Sequence, residues 1–416
     1  MTPYPRVQLQ TFASIKGGKR LPKGEEFSEQ ETGHPYIRAR DIKNGSIMFD
    51  KPVYLSAALA ARLSRFTVVE GDVCITIVGA NVGDVGAVPR SLHGANLTEN
   101  AVKVLAKPGT DQGFLKYALL TPDAQDQMKV LAGGAAQPKL GIYKIKTIEI
   151  PTPSREVQRK IAAILSAYDD LIGNNLRRIQ ILEEMAQNLY REWFVKFRFP
   201  GHESVRMVDS ELGEIPEGWG VIALGNLVEE VRDSVSPSEL PGDTPYMGLE
   251  HLPRKSITLG NWGVAKDVDS TKLRFRAGDI LFGKIRPYFH KVGIAPIQGI
   301  CSSDTIVMRP TSEDSRWLAL GCASSTEFVD HSTATSQGTK MPRANWKVLQ
   351  QYAVAIPGPE IHTGFDRFMS NAVSQMQCLM FKNRVLRQTR DLLLPKLISG
   401  ELDVSDLDIS IPEEAA

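Results

Sequence analysis

Two long stretches of the chain place apolar residues at alternating steps of three and four. From Leu165 the steps pass Tyr168, Ile172, Asn175, Ile179, Leu182, Ala186, Leu189 and Trp193, and only Asn175 is strongly polar. No proline interrupts between Pro153 and Pro200, although Gly173 weakens the helix locally. The second register runs Met369, Ala372, Met376, Leu379, Asn383, Leu386, Arg390, Leu393 and Leu397, with Asn383 and Arg390 as polar members and Pro395 near its end. A repeat held for this length predicts a coiled-coil seam in preference to a wide globular face. The helices are expected at about 158–197 and 362–398, and forty helical residues span about 60 Å. The alternative is that each helix packs on its own neighbouring globule. Two heptad helices separated by a domain long enough to let the chain return instead predict an antiparallel pair, with a globule at each end of a rod. Facing residue numbers in such a pair sum to a near constant, roughly 557–559 here, and 175 and 383 together make 558. Asn175 and Asn383 are therefore expected to face each other, each amide having donors and an acceptor for the other.

Outside these stretches the period shortens to two, in brief runs between Gly and Pro, and the chain repeats itself once. Glu70 to Val88 reads EGDVCITIVGANVGDVGAV, and Ala277 to Ala295 reads AGDILFGKIRPYFHKVGIA. Gly71-Asp72 matches Gly278-Asp279 and Gly86 matches Gly293, both at an offset of 207. Pro35-Tyr36-Ile37 pairs with Pro245-Tyr246-Met247, and Gln137-Pro138-Lys139 with Lys340-Met341-Pro342-Arg343. Glu149-Ile150-Pro151 and Ala355-Ile356-Pro357 each precede one helix. A Gly-Asp followed by alternating apolar residues reads as a turn entering a buried strand. The fold expected is mixed α/β (α+β): two copies of one strand-rich globule and two long helices forming an antiparallel coiled coil. The boundaries are 1–153 for the first globule, 154–199 for the first helix, 200–359 for a linker and the second globule, 360–401 for the second helix and 402–416 for an acidic tail.

Composition narrows the function classes. The 416 residues are 42% hydrophobic and 23% charged, as in a soluble globular protein. Cys74, Cys301, Cys322 and Cys378 lie far apart with no CxxC pair, which fits a reducing cytosol and suggests neither a zinc ribbon nor a dithiol centre. No signal peptide and no uninterrupted apolar run of spanning length is seen, so a cytoplasmic location without a membrane is expected. The net charge of +1 hides segregation. The first 24 residues carry Arg6, Lys16, Lys19, Arg20 and Lys23 and no acid; residues 272–291 hold six bases against Asp279; the last 16 hold six acids and no base. Such clusters either contact an anionic partner or are solvated faces. Phosphate loops, HExxH, GxSxG and an Asn/Asp-Pro-Pro-aromatic run are all missing. GANVGDVG at 79–86 lacks nucleotide-loop spacing, so its glycines read as turn residues. No catalytic centre, metal or cofactor is expected in this chain.

Four segments carry a family resemblance. Leu189-Tyr190-Arg191-Glu192-Trp193-Phe194, Phe197-Arg198-Phe199-Pro200-Gly201 and Asp209-Ser210-Glu211-Leu212-Gly213-Glu214-Ile215-Pro216-Glu217-Gly218-Trp219 resemble the central join of type I restriction-modification specificity subunits. Leu393-Leu394-Pro395-Lys396-Leu397-Ile398-Ser399-Gly400-Glu401-Leu402 resembles the end of their second conserved helix. The resemblance implies that each globule is a target recognition domain for one half of a bipartite double-stranded DNA site. It implies helices that set the spacing and dock two methyltransferase subunits, with restriction/translocase subunits joining. S-adenosylmethionine, ATP and magnesium would belong to those partners.

Base readout needs Arg or Lys toward guanine and Asn or Gln toward adenine. The candidates are Lys16, Lys19, Arg20, Arg38, Arg40, Asn81, Gln137 and Lys139 in the first globule, and Lys284, Arg286, Tyr288, Lys291, Gln337, Lys340 and Arg343 in the second. Lys284-Ile285-Arg286-Pro287-Tyr288 leads because it combines charge, a rigid turn and an aromatic; its bland counterpart is a solvated hairpin. Two other functions stay open: a single-chain restriction-modification enzyme with its own centre, and a coiled-coil scaffold independent of DNA.

Overall fold

The computed structural model describes residues 4–133 and 138–411. The chain divides into two compact units, Met1–Leu171 with Leu386–Ala416, and Ile172–Val385.

In the first unit six strands form one sheet, in the order Ala13–Gly17, Ala101–Ala106, Val73–Thr76, Val85–Ala87, Gly45–Ile47 and Ile42–Lys43. All neighbours are antiparallel except Gly45–Ile47 against Val85–Ala87. The strand after the first Gly-Asp is buried on both faces. Val73 and Ile75 enter a core with Phe114, Leu115 and Met128, while Cys74 enters another with Ile37, Ile42 and Leu97. Two-sided burial is why this strand reads as a nearly continuous apolar run. Helices Gln112–Leu120 and Pro122–Ala132 supply the first core, and their starts are capped by Asp111 and Thr121.

The second unit repeats the plan. Strand Ile280–Gly283 lies between Thr305–Pro310 and Val292–Ile294, with Val228–Val231 at the edge. Ile280 and Phe282 face one core and Leu281 the other. Val73–Thr76 and Val85–Ala87 map onto Ile280–Gly283 and Val292–Ile294 at the offset of 207. Tyr36–Ile37 pairs in parallel with Asn96–Leu97, as Tyr246 and Met247 pair with Ile300 and Cys301.

The repeated residues have structural work. Gly71 and Gly278 take positive φ, 82° and 88°. The following buried aspartates close the turn. Asp72 Oδ2 accepts the Val69 N–H at 3.0 Å, and Asp279 Oδ2 accepts the Arg276 N–H at 2.8 Å. Lys103 Nζ lies 3.3 Å from Asp72, while Arg309 donates to Asp279 at 2.7 and 2.9 Å. A Cβ on Gly86 would lie 2.2 Å from the Ser46 carbonyl, and one on Gly293 would lie 2.8 Å from that of Ile257.

The long helices run Arg155–Tyr190 and Pro359–Ser399, the latter accommodating Pro395. Within the first unit Leu165 shares a core with Leu394, and Arg390 donates to Asp169 at 2.7 Å. Within the second unit Asn175 meets Asn383, and Ile179 shares a core with Leu379. In each unit the two helical segments are therefore antiparallel, with the constant residue sum the sequence predicts.

Their apolar faces are wider than a heptad stripe. Leu165, Ile172, Ile179, Met376, Leu379 and Asn383 are buried, whereas Tyr168, Asn175, Leu182, Leu189, Leu386 and Leu393 are half-buried. Val373 and Met380 beside the seam are also buried, in the core built on Ile257, Phe282 and Ile294. The helices thus pack on sheet and partner segment together, so the strict-seam expectation gives way to a broader face. After Tyr190 the helix widens into a π-turn at Arg191–Val195. Around this turn full burial falls on Tyr190 and Phe194, with Leu189 and Trp193 half-buried. The beginning of the acidic tail also packs: Val404 is buried and Lys160 Nζ donates to the Ser405 carbonyl at 2.6 Å.

Candidate nucleic-acid interface

Three loops converge at one end of the central strand in each unit. In the second unit they are the segment after Gly283, the turn at Ser302–Asp304 and the segment before Trp346. The Lys284 N–H donates to the Asp304 carbonyl at 2.8 Å, the Ala344 N–H to the Lys284 carbonyl at 2.9 Å, and the Arg286 N–H to the Pro342 carbonyl at 2.8 Å. Gln337 and Arg343 exchange backbone bonds at 3.0 and 2.8 Å. An open depression beside them is lined by Lys284, Gln337, Arg343, Asn345, Arg232 and Glu230. The first unit builds the same frame. The Ile77 N–H donates to Asn100 at 2.8 Å, the Leu140 N–H to Ile77 at 2.9 Å, and the Gly79 N–H to Pro138 at 3.2 Å.

This frame gathers most of the candidate residues. Lys284, Arg286, Tyr288, Gln337 and Arg343 share the three loops of the second unit, and Lys340 is exposed on the last of them. Tyr288 is 51% exposed and stands at the position that Asn81 occupies in the first unit. Arg343 corresponds to Lys139, each forming the same isolated bridge, to Ile285 and Val78. Two acids temper the charge. Arg343 approaches Asp304 at 3.6 Å, and Arg20 donates to Glu99 at 2.7 Å. Lys16 and Lys19 are exposed; Lys19 also lies 5.9 Å from the Phe66 ring centroid. Gln137 lies outside the described residues.

Other candidates are committed to the fold. Arg38 is forked onto buried Asp41, at 3.1 and 3.3 Å, and also bonds the Lys51 carbonyl; Arg40 lies 3.5 Å from the same aspartate. Lys291 donates to the Leu249 carbonyl, and burial, with Arg254 nearby, pulls its ammonium below the ordinary lysine range. Arg38 and Lys291 hold loops in place, as charged groups must when partly withdrawn from water, whereas the Arg40 side chain is 55% exposed and is only flanked by Asp41. The sequence reading missed Arg254, whose guanidinium lies 3.9 Å from the Phe289 ring centroid, and the turn residues Glu99, Asn100 and Asp304. Only the basic Arg254-Lys255 pair signalled the first. The turn could have been found by aligning the strands that follow each repeat.

A family model described as the type I restriction modification DNA specificity domain matches residues 3–184. The type I restriction enzyme MjaIX specificity subunit of Methanocaldococcus jannaschii is 26% identical over 388 residues, covering 90% of this chain and 88% of that protein. The EcoDI specificity subunit of Escherichia coli is 26% identical over 312 residues, covering 65% and 69%. In fold, the chain is similar to the crystal structure of a type I restriction-modification system S subunit from M. genitalium, with a TM-score of 0.60 at 16% identity, covering 96% of this chain and 99% of that one.

Proposed function

We propose that the chain is a member of the type I restriction-modification DNA specificity family, and that as such it reads a double-stranded DNA target in two halves without doing chemistry itself. The observation that carries this reading is the duplicated loop frame. One backbone arrangement occurs twice, with Ile77, Gly79, Asn81 and Lys139 in one copy and Lys284, Arg286, Tyr288 and Arg343 in the other. Reading two different short sequences requires a constant scaffold and exchanged donors and acceptors at its rim. In this reading exposed Lys16, Lys19, Lys340 and Arg343 would meet phosphate, and Arg286, Tyr288 and Asn81 base edges.

Two methyltransferase subunits would dock along the long helices, with restriction/translocase subunits joining the assembly. Within the second unit, exposed Leu176, Ile181, Met185 and Val385 on those helices are apolar side chains available to such a partner. S-adenosylmethionine, ATP and magnesium would be held by the partners. Among the described residues no helix is long and apolar enough to cross a membrane.

The test is to express the chain with its methyltransferase in a host lacking both and to map genomic methylation. A methylated motif split by a spacer of fixed length is expected. Methylation without a motif, or with a continuous one, would overturn the reading.

A further inference from the structure

Two joints of the reading loop in the second unit are bent left-handed on residues other than glycine. Arg286 has φ 50° and His290 φ 51°; at the same places the first unit has Gly79 at 98° and Gly83 at 94°. The backbone shape is thus shared, but only the second unit carries side chains where L residues rarely fit. His290 has a structural reason to be there. It is buried, and its Nε2 bonds the Ser324 carbonyl at 2.8 Å.

Arg286 has no comparable reason. Its Nε is buried without a hydrogen-bond partner, and among the described residues its guanidinium makes no hydrogen bond or ion pair. The Phe289 ring, which Arg254 also approaches, lies 5.8 Å from the Arg286 guanidinium carbon. Meanwhile its backbone N–H is fixed to Pro342. The fold therefore holds this arginine in a strained, anchored pose and leaves its terminal amino groups unspent.

Resting on the proposed function, we infer that Arg286 is a specificity-determining residue of the second unit and reads one guanine of its half-site in the major groove. With Nε buried, the guanidinium offers its two terminal amino groups end-on. It has donors only, so its complement is a pair of adjacent acceptors, which guanine presents as O6 and N7. A phosphate also presents paired oxygens, but exposed Lys340 on the same loop frame can meet phosphate as a point charge without a left-handed backbone. The first unit has no side chain at this place, and Asn81 two residues on presents an amide of the kind that pairs with adenine.

The test uses the chain assembled with its methyltransferase and compares R286G and R286K with wild type. Glycine is the residue of the first unit at this joint, so R286G relieves strain and keeps the loop; lysine keeps the charge but not the planar fork. Both variants should methylate a motif that has become degenerate at one guanine of one half, with the other half unchanged. Binding to a duplex carrying the wild-type motif should fall roughly fivefold to 150-fold in R286G. Replacing that guanine by 7-deazaguanine, which lacks the N7 acceptor, should weaken wild type and leave R286G unaffected. An unchanged motif in R286G, or a loss confined to the salt dependence, overturns the guanine assignment while leaving the split-site function standing. A wild-type complex without a split motif overturns both.

Discussion

Asn175 Nδ2 donates to Asn383 Oδ1 at 2.8 Å, and Asn383 in turn donates to the Ile172 carbonyl at 3.4 Å. Asn383 is 2% exposed, so its amide has little recourse to water. A polar pair inside an apolar helix seam costs stability but fixes which residues face each other, because any slip strands both amides. We predict that N175L alone destabilises the second unit by about 1–3 kcal/mol, the cost of an unsatisfied buried amide. The double variant N175L/N383L should recover most of that loss, giving a coupling of at least about 0.5 kcal/mol in a double-mutant cycle. Denaturant midpoints for all four proteins would measure it, and strictly additive losses would refute the pairing argument.

The Asp279–Arg309 pair offers a second test. Asp279 is 2% exposed and combines the turn bond to Arg276 with a forked ion pair. D279A removes both and leaves the half-buried Arg309 without its counter-charge, a loss of about 3 kcal/mol or more. D279N should cost less, because an amide oxygen can still accept from Arg276. Hydrogen exchange across Ile280–Gly283 and Thr305–Pro310 would localise the effect, and equal protection in wild type and D279A would contradict it.

Protonation of His290 gives a pH signature. Burial lowers its pKa from the ordinary 6.5, with Lys255 adding to the shift and the Ser324 carbonyl and Asp330 opposing it. The unfolded chain therefore binds the proton at higher pH than the folded one. The sign follows: this site's contribution is complete above about pH 6.5 and declines as pH falls from there toward the lowered folded value. Asparagine tolerates the left-handed backbone and carries no such proton. In H290N the slope of stability against pH just below 6.5 should flatten relative to wild type, as urea melts at several pH values would record. Parallel curves would dismiss the assignment.

Exchange of residues 1–150 for another recognition domain of the family should alter one half of the methylated motif and preserve the other. In the second unit, K340A and R343A should each lower the salt slope of DNA binding by about one unit without changing the motif, as phosphate contacts do. Filter binding across a salt series would check this. A motif change in either variant would move that residue from positioning to reading.

The long helices and the central strands were legible because their periodicity records burial directly: three-and-four steps for a helix, and an apolar run for Ile280–Gly283 between two cores. The Asn175–Asn383 pairing was legible too, since antiparallel geometry reduces to a constant sum of residue numbers. The width of the helical faces was not. Val373 and Met380 lie off the heptad stripe, and only tertiary packing against Ile257 and Ile294 makes them core residues. Charge was the least reliable guide. Arg38, Arg40 and Lys291 carry the same sign of charge as Lys340, but a buried aspartate holds Arg38 and flanks Arg40, and a backbone carbonyl holds Lys291. Composition does not encode such local partners. Nor does it reveal that Arg286 sits on a left-handed joint, which emerges only when its loop is laid beside that of Gly79.

The division of the chain also has a temporal side. The second unit is one continuous segment, Ile172–Val385, whereas the first needs Met1–Leu171 together with residues from Leu386 onward. Leu394, Leu397, Ile398 and Val404 complete its hydrophobic core, and the Tyr4 N–H reaches the Ser399 carbonyl at 3.5 Å. A ribosome makes most of this unit first but delivers its closing residues only after the whole second unit has been translated. The earlier-born unit can therefore close its core only after the later-born one has been made, so a chain cut after Val385 would keep every residue of the second unit and deprive the first of Leu394, Leu397, Ile398 and Val404.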